Sequence, residues 1–170
     1  MRKIFHGISL SLLISGSVMA SNQVVEAAIT NAQLVGAAKF EYFFFDVYRA
    51  ELFAPDGQYQ ADKHFALALT YLRDFKGVDI AERSVKEMRQ QGFNDTSTLS
   101  AWNEQMQAIF PDVKKGQTIT GVALDGVASF YLNDKPIGQI KDAQFTQRFF
   151  DIWLGEKTSE PGLRKQLLKL

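Results

Sequence analysis

The 170-residue chain contains no cysteine, four prolines and two histidines, and the scarcity of cysteine and histidine excludes several classes of site. Without cysteine there is no disulfide, no thiolate metal site, no thiol nucleophile and no cysteine-linked lipid anchor. Lysine plus arginine and aspartate plus glutamate both total 19, so the formal net charge is zero. Because nucleic-acid binding needs a basic surface that meets phosphates, we expect no nucleic-acid partner.

The amino terminus has the pattern of an export signal. Residues 1–20 begin with the positive pair Arg2 and Lys3, continue through a short apolar run and end with small residues at Val18 and Ala20. The apolar run is too short to cross a bilayer, which takes about 20 residues, and no later segment approaches that length. We therefore expect cleavage near Ala20, no integral membrane span and a periplasmic or secreted mature protein.

The rest of the chain, residues 21–170, predicts a single domain because it contains no linker, repeat or low-complexity tract. Alternating apolar residues indicate one long strand followed by four shorter ones, at 33–53, 65–73, 117–124, 127–132 and 136–140. Apolar residues at three- and four-residue spacing indicate helices, at 79–91, 97–110, 142–154 and from 159 onward. This order is typical of an α+β fold in which helices pack on one side of a large antiparallel sheet.

Two features of the strand pattern lead to specific expectations. Both faces of the long strand are apolar around residues 43–45, so this part is expected to be covered on both sides. The pair Asp125-Gly126 is a strong two-residue hairpin signal, and residues 133–135 predict the next turn.

Few residues suited to catalysis follow the predicted signal. His64 is the single histidine there, so a Ser-His-Asp triad would need it, and no Gly-x-Ser-x-Gly elbow exists to hold the serine. The sequence has no phosphate-binding loop and no dinucleotide fingerprint, and a zinc site would need more donors than His64 supplies. We therefore expect no cofactor, no metal site and a solvated His64.

Aromatic residues are abundant: the chain has 14 phenylalanines, 5 tyrosines and 2 tryptophans. Most lie on core-facing stripes, which simple packing explains. The alternative is a cavity between sheet and helices, since such sites combine an apolar lining with a few polar groups. Tyr71 and Arg73 share a strand face about 7 Å apart, where they could hold a carboxylate. The polar candidates nearest this surface are Lys39, Tyr42, Tyr48, Arg49, Tyr71 and Arg73.

The sequence resembles the chalcone isomerase-like family in several ordered segments. The family's opening strand pattern corresponds to residues 35–39 (VGAAK) and 43–48 (FFFDVY). Later segments are similar to its bacterial, exported branch, at residues 72–74 (LRD), 110–116 (FPDVKKG) and 152–156 (IWLGE). The resemblance extends from about residue 30 to the carboxyl terminus. It implies an open-faced α+β sandwich with a ligand cleft between sheet and helices.

Catalytic members of this family close a chalcone into a flavanone, whereas other members bind fatty acids without chemistry. The place of the family's catalytic arginine falls on Phe40, beside Lys39, and its strand threonine falls near Phe43. Both replacements remove donors that would stabilise negative charge, and losing one such donor typically slows a reaction about a hundred- to a thousandfold. The resemblance therefore implies that the catalytic residues are absent.

Three hypotheses about function follow from these observations. The first is an exported, non-catalytic protein that binds a small hydrophobic molecule, such as a fatty acid or similar carboxylate. The second is an isomerase (an intramolecular lyase) acting on a chalcone-like or other unsaturated substrate. The third is a structural or partner-binding envelope protein with a filled core. An open cavity would distinguish the first two from the third, and the oligomeric state stays open. The ligand contacts expected under the first hypothesis are Lys39, Tyr42, Tyr48, Tyr71 and Arg73.

Overall fold

The computed structural model describes residues 22–170, and the predicted signal peptide at 1–20 lies outside the described residues. Six strands form one antiparallel sheet in which the spatial order of strands equals their order along the chain. The strands are β1 Ala32–Tyr42, β2 Phe45–Pro55, β3 Phe65–Tyr71, β4 Thr118–Leu124, β5 Val127–Leu132 and β6 Lys135–Ile140. The helices in this range are α1 Asn22–Ala28, α2 Gly77–Gln90, α3 Thr96–Ile109, α4 Ala143–Leu154 and α5 Pro161–Leu168. None of them is long and apolar enough to cross a bilayer.

Two apolar cores lie on the two faces of this sheet. The larger core packs one face, including Leu52 and Leu67, against helices α2 to α5. The smaller core lies on the opposite face, where Phe53 packs with Val25 and Ile29 from the α1 segment. The predicted α+β architecture with helices on one side of the sheet is confirmed for the four long helices. The short α1 is an addition, because seven residues give too weak a periodic signal.

Helices α2 to α4 begin where polar side chains satisfy their first backbone amides. Asp95 and Asp142 accept hydrogen bonds from first-turn amides of α3 and α4, as N-terminal caps do. Helix α2 begins at Gly77 instead of the predicted Asp79. The Gly77 amide donates to the Asp112 carboxylate at 2.9 Å, so the cap of this helix comes from a distant loop. Because this capping residue is distant in the sequence, the local spacing of residues could not predict where the helix begins.

The long strand predicted at residues 33–53 is two strands joined by a tight turn. Phe43 and Phe44 form the turn with φ values of 45° and 68°, and Tyr42 then pairs with Phe45 across the hairpin. The expectation that this segment is covered on both faces is wrong, since Phe44 is 100% exposed and Phe43 is 72% exposed. Two-residue turns favour Asn-Gly or Asp-Gly, so a Phe-Phe turn carries no recognisable signal.

Two glycines allow close approach of the backbones around the larger core. A Cβ at Gly36 of β1 would clash with the backbone carbonyl oxygens of Gln166 and Leu167, so α5 lies directly against the first strand. A Cβ at Gly77 would clash with the carbonyl of Phe110, where α3 ends. These contacts set the positions of α5 and α2 over the sheet, and both helices form walls of the site described next.

Candidate ligand-binding cavity

A cavity of about 400 Å³ lies between the sheet and helices α2, α4 and α5. Its volume falls within the range of roughly 300–1,000 Å³ that is typical of small-molecule sites. The third hypothesis required a filled interior, and this requirement is not met. The apolar part of the lining consists of Phe40, Phe45, Val47, Leu69, Phe75, Ile80, Phe110, Ile119, Phe149, Ile152, Trp153 and Leu163.

Four side chains proposed from the sequence, Tyr42, Tyr48, Tyr71 and Arg73, line this cavity. Tyr48 and Tyr71 are paired across β2 and β3, and their ring centroids lie 6.2 Å apart in an edge-to-face arrangement. Arg73 lies at the hairpin end, where its guanidinium carbon sits 5.1 Å from the centroid of the Phe45 ring. The structure thus brings these four side chains to one cavity, while their role in binding stays a prediction.

The other two polar candidates, Lys39 and Arg49, are not part of the lining. They lie opposite each other in the register of β1 and β2. The Lys39 ammonium forms ion pairs with Glu41 and, at 2.8 Å, with Asp46. The hydrogen bonds to Asp46 and then to Glu41 raise the pKa of Lys39 above its usual value. Lys39 is therefore engaged by two carboxylates of the hairpin, whose charges it offsets in part, and it lies outside the cavity lining.

The phenolic groups in the lining are neutral hydrogen-bonding groups. The Tyr48 hydroxyl accepts a hydrogen bond from Nε1 of Trp153 at 2.9 Å, which leaves its own hydrogen available to a ligand. Burial raises the pKa of Tyr48 well above its usual value, although the bond from Trp153 works in the opposite direction. Burial also raises the pKa of Tyr71. Both phenols are therefore protonated near neutral pH and act as donors, not as bases.

A buried carboxylate in the lining, Glu87, escaped the sequence analysis. Glu87 is 3% exposed, and its Oε2 accepts a hydrogen bond from the Ser159 hydroxyl at 2.7 Å. Its Oε1 lies 2.5 Å from Nη2 of Arg83, an ion pair without the alignment of a hydrogen bond. A buried charge needs a partner, so Arg83 is committed to Glu87. Oppositely charged residues at four-residue spacing usually pair on the solvated face of a helix, so nothing in the sequence indicated this burial.

Charge is distributed unevenly along the lining. At the end between α2 and α5, the carboxylates of Glu87 and Glu160 outnumber the guanidinium of Arg83. The first turn of α2 contributes one more carboxylate, that of Asp79. At the hairpin end the lining group is the cation Arg73. A ligand carboxylate would therefore be attracted toward Arg73 and repelled from the α2–α5 end.

The part of the chain that the structure describes contains no set of side chains that could bind a metal ion. Across residues 22–170, no group of three or more His, Asp or Glu side chains is arranged to hold an ion. His64 lies outside the cavity with its side chain 44% exposed, and its Nε2 is 2.9 Å from Oδ1 of Asp125. It therefore takes no part in the chemistry of the cavity.

The sequence profile of the chalcone isomerase-like family matches residues 15–169. The chain belongs to this family. It is similar to an uncharacterized protein of Haemophilus influenzae, with 33% identity over 143 residues that cover 84% of this chain and 70% of that protein. This chalcone isomerase-like fold is also similar to the crystal structure of a fatty-acid binding protein of Arabidopsis thaliana. The TM-score is 0.61 at 14% identity, over 83% of this chain and 89% of the other. At that identity the likeness shows the fold alone, and the assignment to a bacterial exported branch stays a prediction.

Proposed function

We propose that this chalcone isomerase-like protein binds a small hydrophobic carboxylate, such as a fatty acid, without converting it chemically. The observation that carries the proposal is the apolar cavity of about 400 Å³ with the Arg73 guanidinium at one end. The fold shared with a protein described as fatty-acid binding adds support. Apolar cavities with a few placed polar groups are the usual form of small-molecule sites.

The proposed pose places the ligand carboxylate at Arg73 and its tail in the apolar lining. An arginine and a carboxylate form short, charge-assisted hydrogen bonds, and the protonated Tyr71 hydroxyl supplies a further donor nearby. The tail would lie among side chains such as Leu69, Ile119 and Phe149. The carboxylates at the α2–α5 end disfavour the reversed orientation.

Turnover is disfavoured because the polar groups in the cavity are occupied or unsuited to it. Phe40, at the place of the family's catalytic arginine, stacks on Tyr48 with ring centroids 5.1 Å apart. Arg83 is held by Glu87, and the phenols have raised pKa values. We infer that Arg73 can hold a negative charge in the cavity, but that neither buried phenol serves as a base near neutral pH.

The test compares fatty-acid affinity in Arg73→Gln and in a matched control, Arg49→Gln, by displacement of a fluorescent fatty acid. Removing a charge-assisted contact should weaken palmitate binding about tenfold or more in Arg73→Gln. Arg49→Gln removes a nearby strand cation outside the cavity and should bind palmitate as the wild type does.

A second variant, Leu69→Trp, fills the cavity and should abolish uptake while an unchanged circular dichroism spectrum shows that the protein is folded. Wild-type protein that takes up no fatty acid of any chain length would refute the proposal. Equal affinities in the wild type and Leu69→Trp would refute the cavity as the site.

A second candidate function is isomerase activity on a chalcone-like substrate, favoured by the Arg73 guanidinium in the lining, which could stabilise an oxyanion. The test is a chalcone cyclisation assay with the wild type and Tyr71→Phe. We expect a rate no greater than in solution, in line with non-catalytic binding. A wild-type rate clearly above solution that falls in Tyr71→Phe would establish the isomerase instead.

We also propose that residues 1–20 are removed during export and that the mature protein is periplasmic or secreted. The charged start, short apolar run and small residues before Ser21 support this. Intact-mass measurement of protein from the periplasm of an expressing bacterium should give a chain that begins at Ser21. Full-length protein confined to the cytoplasm would contradict the proposal.

A further inference from the structure

Four consecutive aromatic residues, Tyr42 to Phe45, form the end of the β1–β2 hairpin, and we call them the aromatic tip. Their exposed fractions are 53%, 72%, 100% and 60%. The other large exposed apolar side chains among residues 22–170 are scattered singly, at Leu34, Val78, Leu124 and Leu170. Scattered apolar side chains are normal on a surface, whereas a contiguous exposed cluster indicates an interaction site.

The backbone of the aromatic tip is unfavourable for the residues it contains. Phe43 and Phe44 both lie in the left-handed region, with φ values of 45° and 68°. Bulky side chains rarely adopt this conformation, and glycine or asparagine would form the same turn more easily. Backbone strain of this kind is concentrated at functional sites. The strain indicates that two outward aromatic side chains are needed here.

Cations offset the three carboxylates beside the aromatic tip, because the guanidinium of Arg73 lies over the Phe45 ring and adds its charge to those of two lysines. Glu41 and Asp46 both pair with Lys39, and the Asp74 carboxylate accepts from Nζ of Lys114 at 3.0 Å. The hydrogen bond from Lys39 lowers the pKa of Asp46, and the hydrogen bond from the Lys115 amide, followed by that from the Lys114 ammonium, lowers the pKa of Asp74. This end of the molecule therefore presents apolar rings without an unpaired carboxylate that an anionic lipid surface would repel.

We propose that the aromatic tip inserts into the interfacial region of a lipid bilayer. Aromatic side chains are favoured at the boundary between lipid and water. The aromatic tip protrudes as a hairpin end, so its rings can enter the headgroup region together while the sheet stays in water. Two of its residues, Tyr42 and Phe45, also line the cavity, so insertion brings the cavity to the lipid surface. Exchange of a fatty acid with the membrane through this opening rests on the proposed function, whereas insertion itself does not.

The absence of cysteine allows a position-specific test in the full chain. Phe44→Cys and, as control, Gln107→Cys on the exposed surface of α3 are each labelled with an environment-sensitive nitrobenzoxadiazole probe. Vesicles of phosphatidylethanolamine and phosphatidylglycerol, free of fatty acid, are then added. We expect a blue shift and at least a twofold gain in emission at position 44 only, with quenching by lipids spin-labelled near the headgroup.

Removing one further ring should weaken insertion. Phe43→Ser in the labelled Phe44→Cys chain should raise the lipid concentration at half-maximal change about tenfold. The matched control, Leu124→Ser, removes an exposed apolar side chain elsewhere and should leave that concentration unchanged. Circular dichroism checks that each variant is folded.

Three results would overturn the proposal: no vesicle-dependent change at position 44, the same change at positions 44 and 107, or a probe already buried at position 44 in a dimer detected by light scattering.

The cavity variant Leu69→Trp separates the two proposals. Insertion that persists in this variant supports the aromatic tip independently of ligand uptake. A wild type that inserts but takes up no fatty acid would refute the proposed function alone.

Discussion

At the residue scale, Gly36 is a position where one methyl group would displace a wall of the cavity. A Cβ there would clash with backbone carbonyls of α5, and backbone cannot move aside as a flexible side chain can. Gly36→Ala should therefore lower the free energy of unfolding by about 1–3 kcal/mol, the usual cost of overpacking. The control is Gly162→Ala, since a Cβ at Gly162 would meet nothing within 4 Å. Urea denaturation should show no loss for the control, and equal losses would contradict the close approach.

The buried phenol of Tyr71 predicts a loss of stability at alkaline pH. Burial raises its pKa in the folded state above the usual value of about 10, so the contribution to stability is fully present below pH 10. Above that pH the unfolded chain releases the proton and the folded chain retains it. Tyr71 then lowers the free energy of unfolding by up to about 1.4 kcal/mol per pH unit until its folded-state pKa is reached, and the buried Tyr48 adds to this decline.

Tyr71→Phe measures this contribution directly. The variant should show a shallower decline in the free energy of unfolding between pH 9.5 and 11 than the wild type, in denaturant titrations at each pH. If the free energy of unfolding declined as steeply with pH in Tyr71→Phe as in the wild type, the Tyr71 phenol would not be the cause of the decline.

At the scale of single elements, α1 and the residue after it cover the face of the sheet opposite the long helices. Ile29 is 2% exposed and packs with Phe53 and Val122 in the smaller core. Truncation to alanine should therefore cost about 2–5 kcal/mol, as for other buried isoleucines. Ala27→Ser, on the exposed side of α1, should change the free energy of unfolding by less than about 0.5 kcal/mol. An Ile29→Ala protein as stable as the wild type would mean that α1 is not docked on the sheet.

The hairpins show which local structure the sequence reveals. Asp125-Gly126 was predicted as a two-residue turn, and the structure places both residues at positive φ, 49° and 77°, between β4 and β5. The Phe43-Phe44 turn also has positive φ at both residues, but it is formed by bulky aromatic residues, which disfavour that conformation. Sequence patterns report what the backbone prefers, so they fail where a function overrides the preference.

At the scale of the whole molecule, a ligand that binds only the folded state should raise the unfolding temperature. At a free palmitate concentration of 100 times Kd, the expected gain is about 2.7 kcal/mol, or several degrees for a domain of this size. Differential scanning fluorimetry should show this shift for the wild type and none for Leu69→Trp. An identical shift in both proteins would place the ligand outside the cavity.

The fold was predictable as a whole because its signals are distributed over many residues. Strand alternation, helical apolar stripes and the family resemblance all led to one α+β sandwich. The cavity was only partly predictable, since strand parity placed Tyr71 in the lining, whereas Arg73 lines the cavity from beyond the end of β3 and Lys39 lies outside the lining. Glu87 was missed because its burial depends on how α2 and α5 meet, which is a long-range property. Ser84 also interrupts the apolar face of α2 and so obscures its buried side.

The direct contact between α5 and Gly36 also has a consequence for the time course of biosynthesis. Helix α5 lies far along the chain from β1, although the two are in direct contact. Neighbouring strands can form hairpins as they emerge from the ribosome, but the apolar face of β1 stays exposed to water until α5 has been synthesised. A nascent chain that lacks α5 is thus left with an unsealed core, so the tertiary structure is completed only after α5 has emerged.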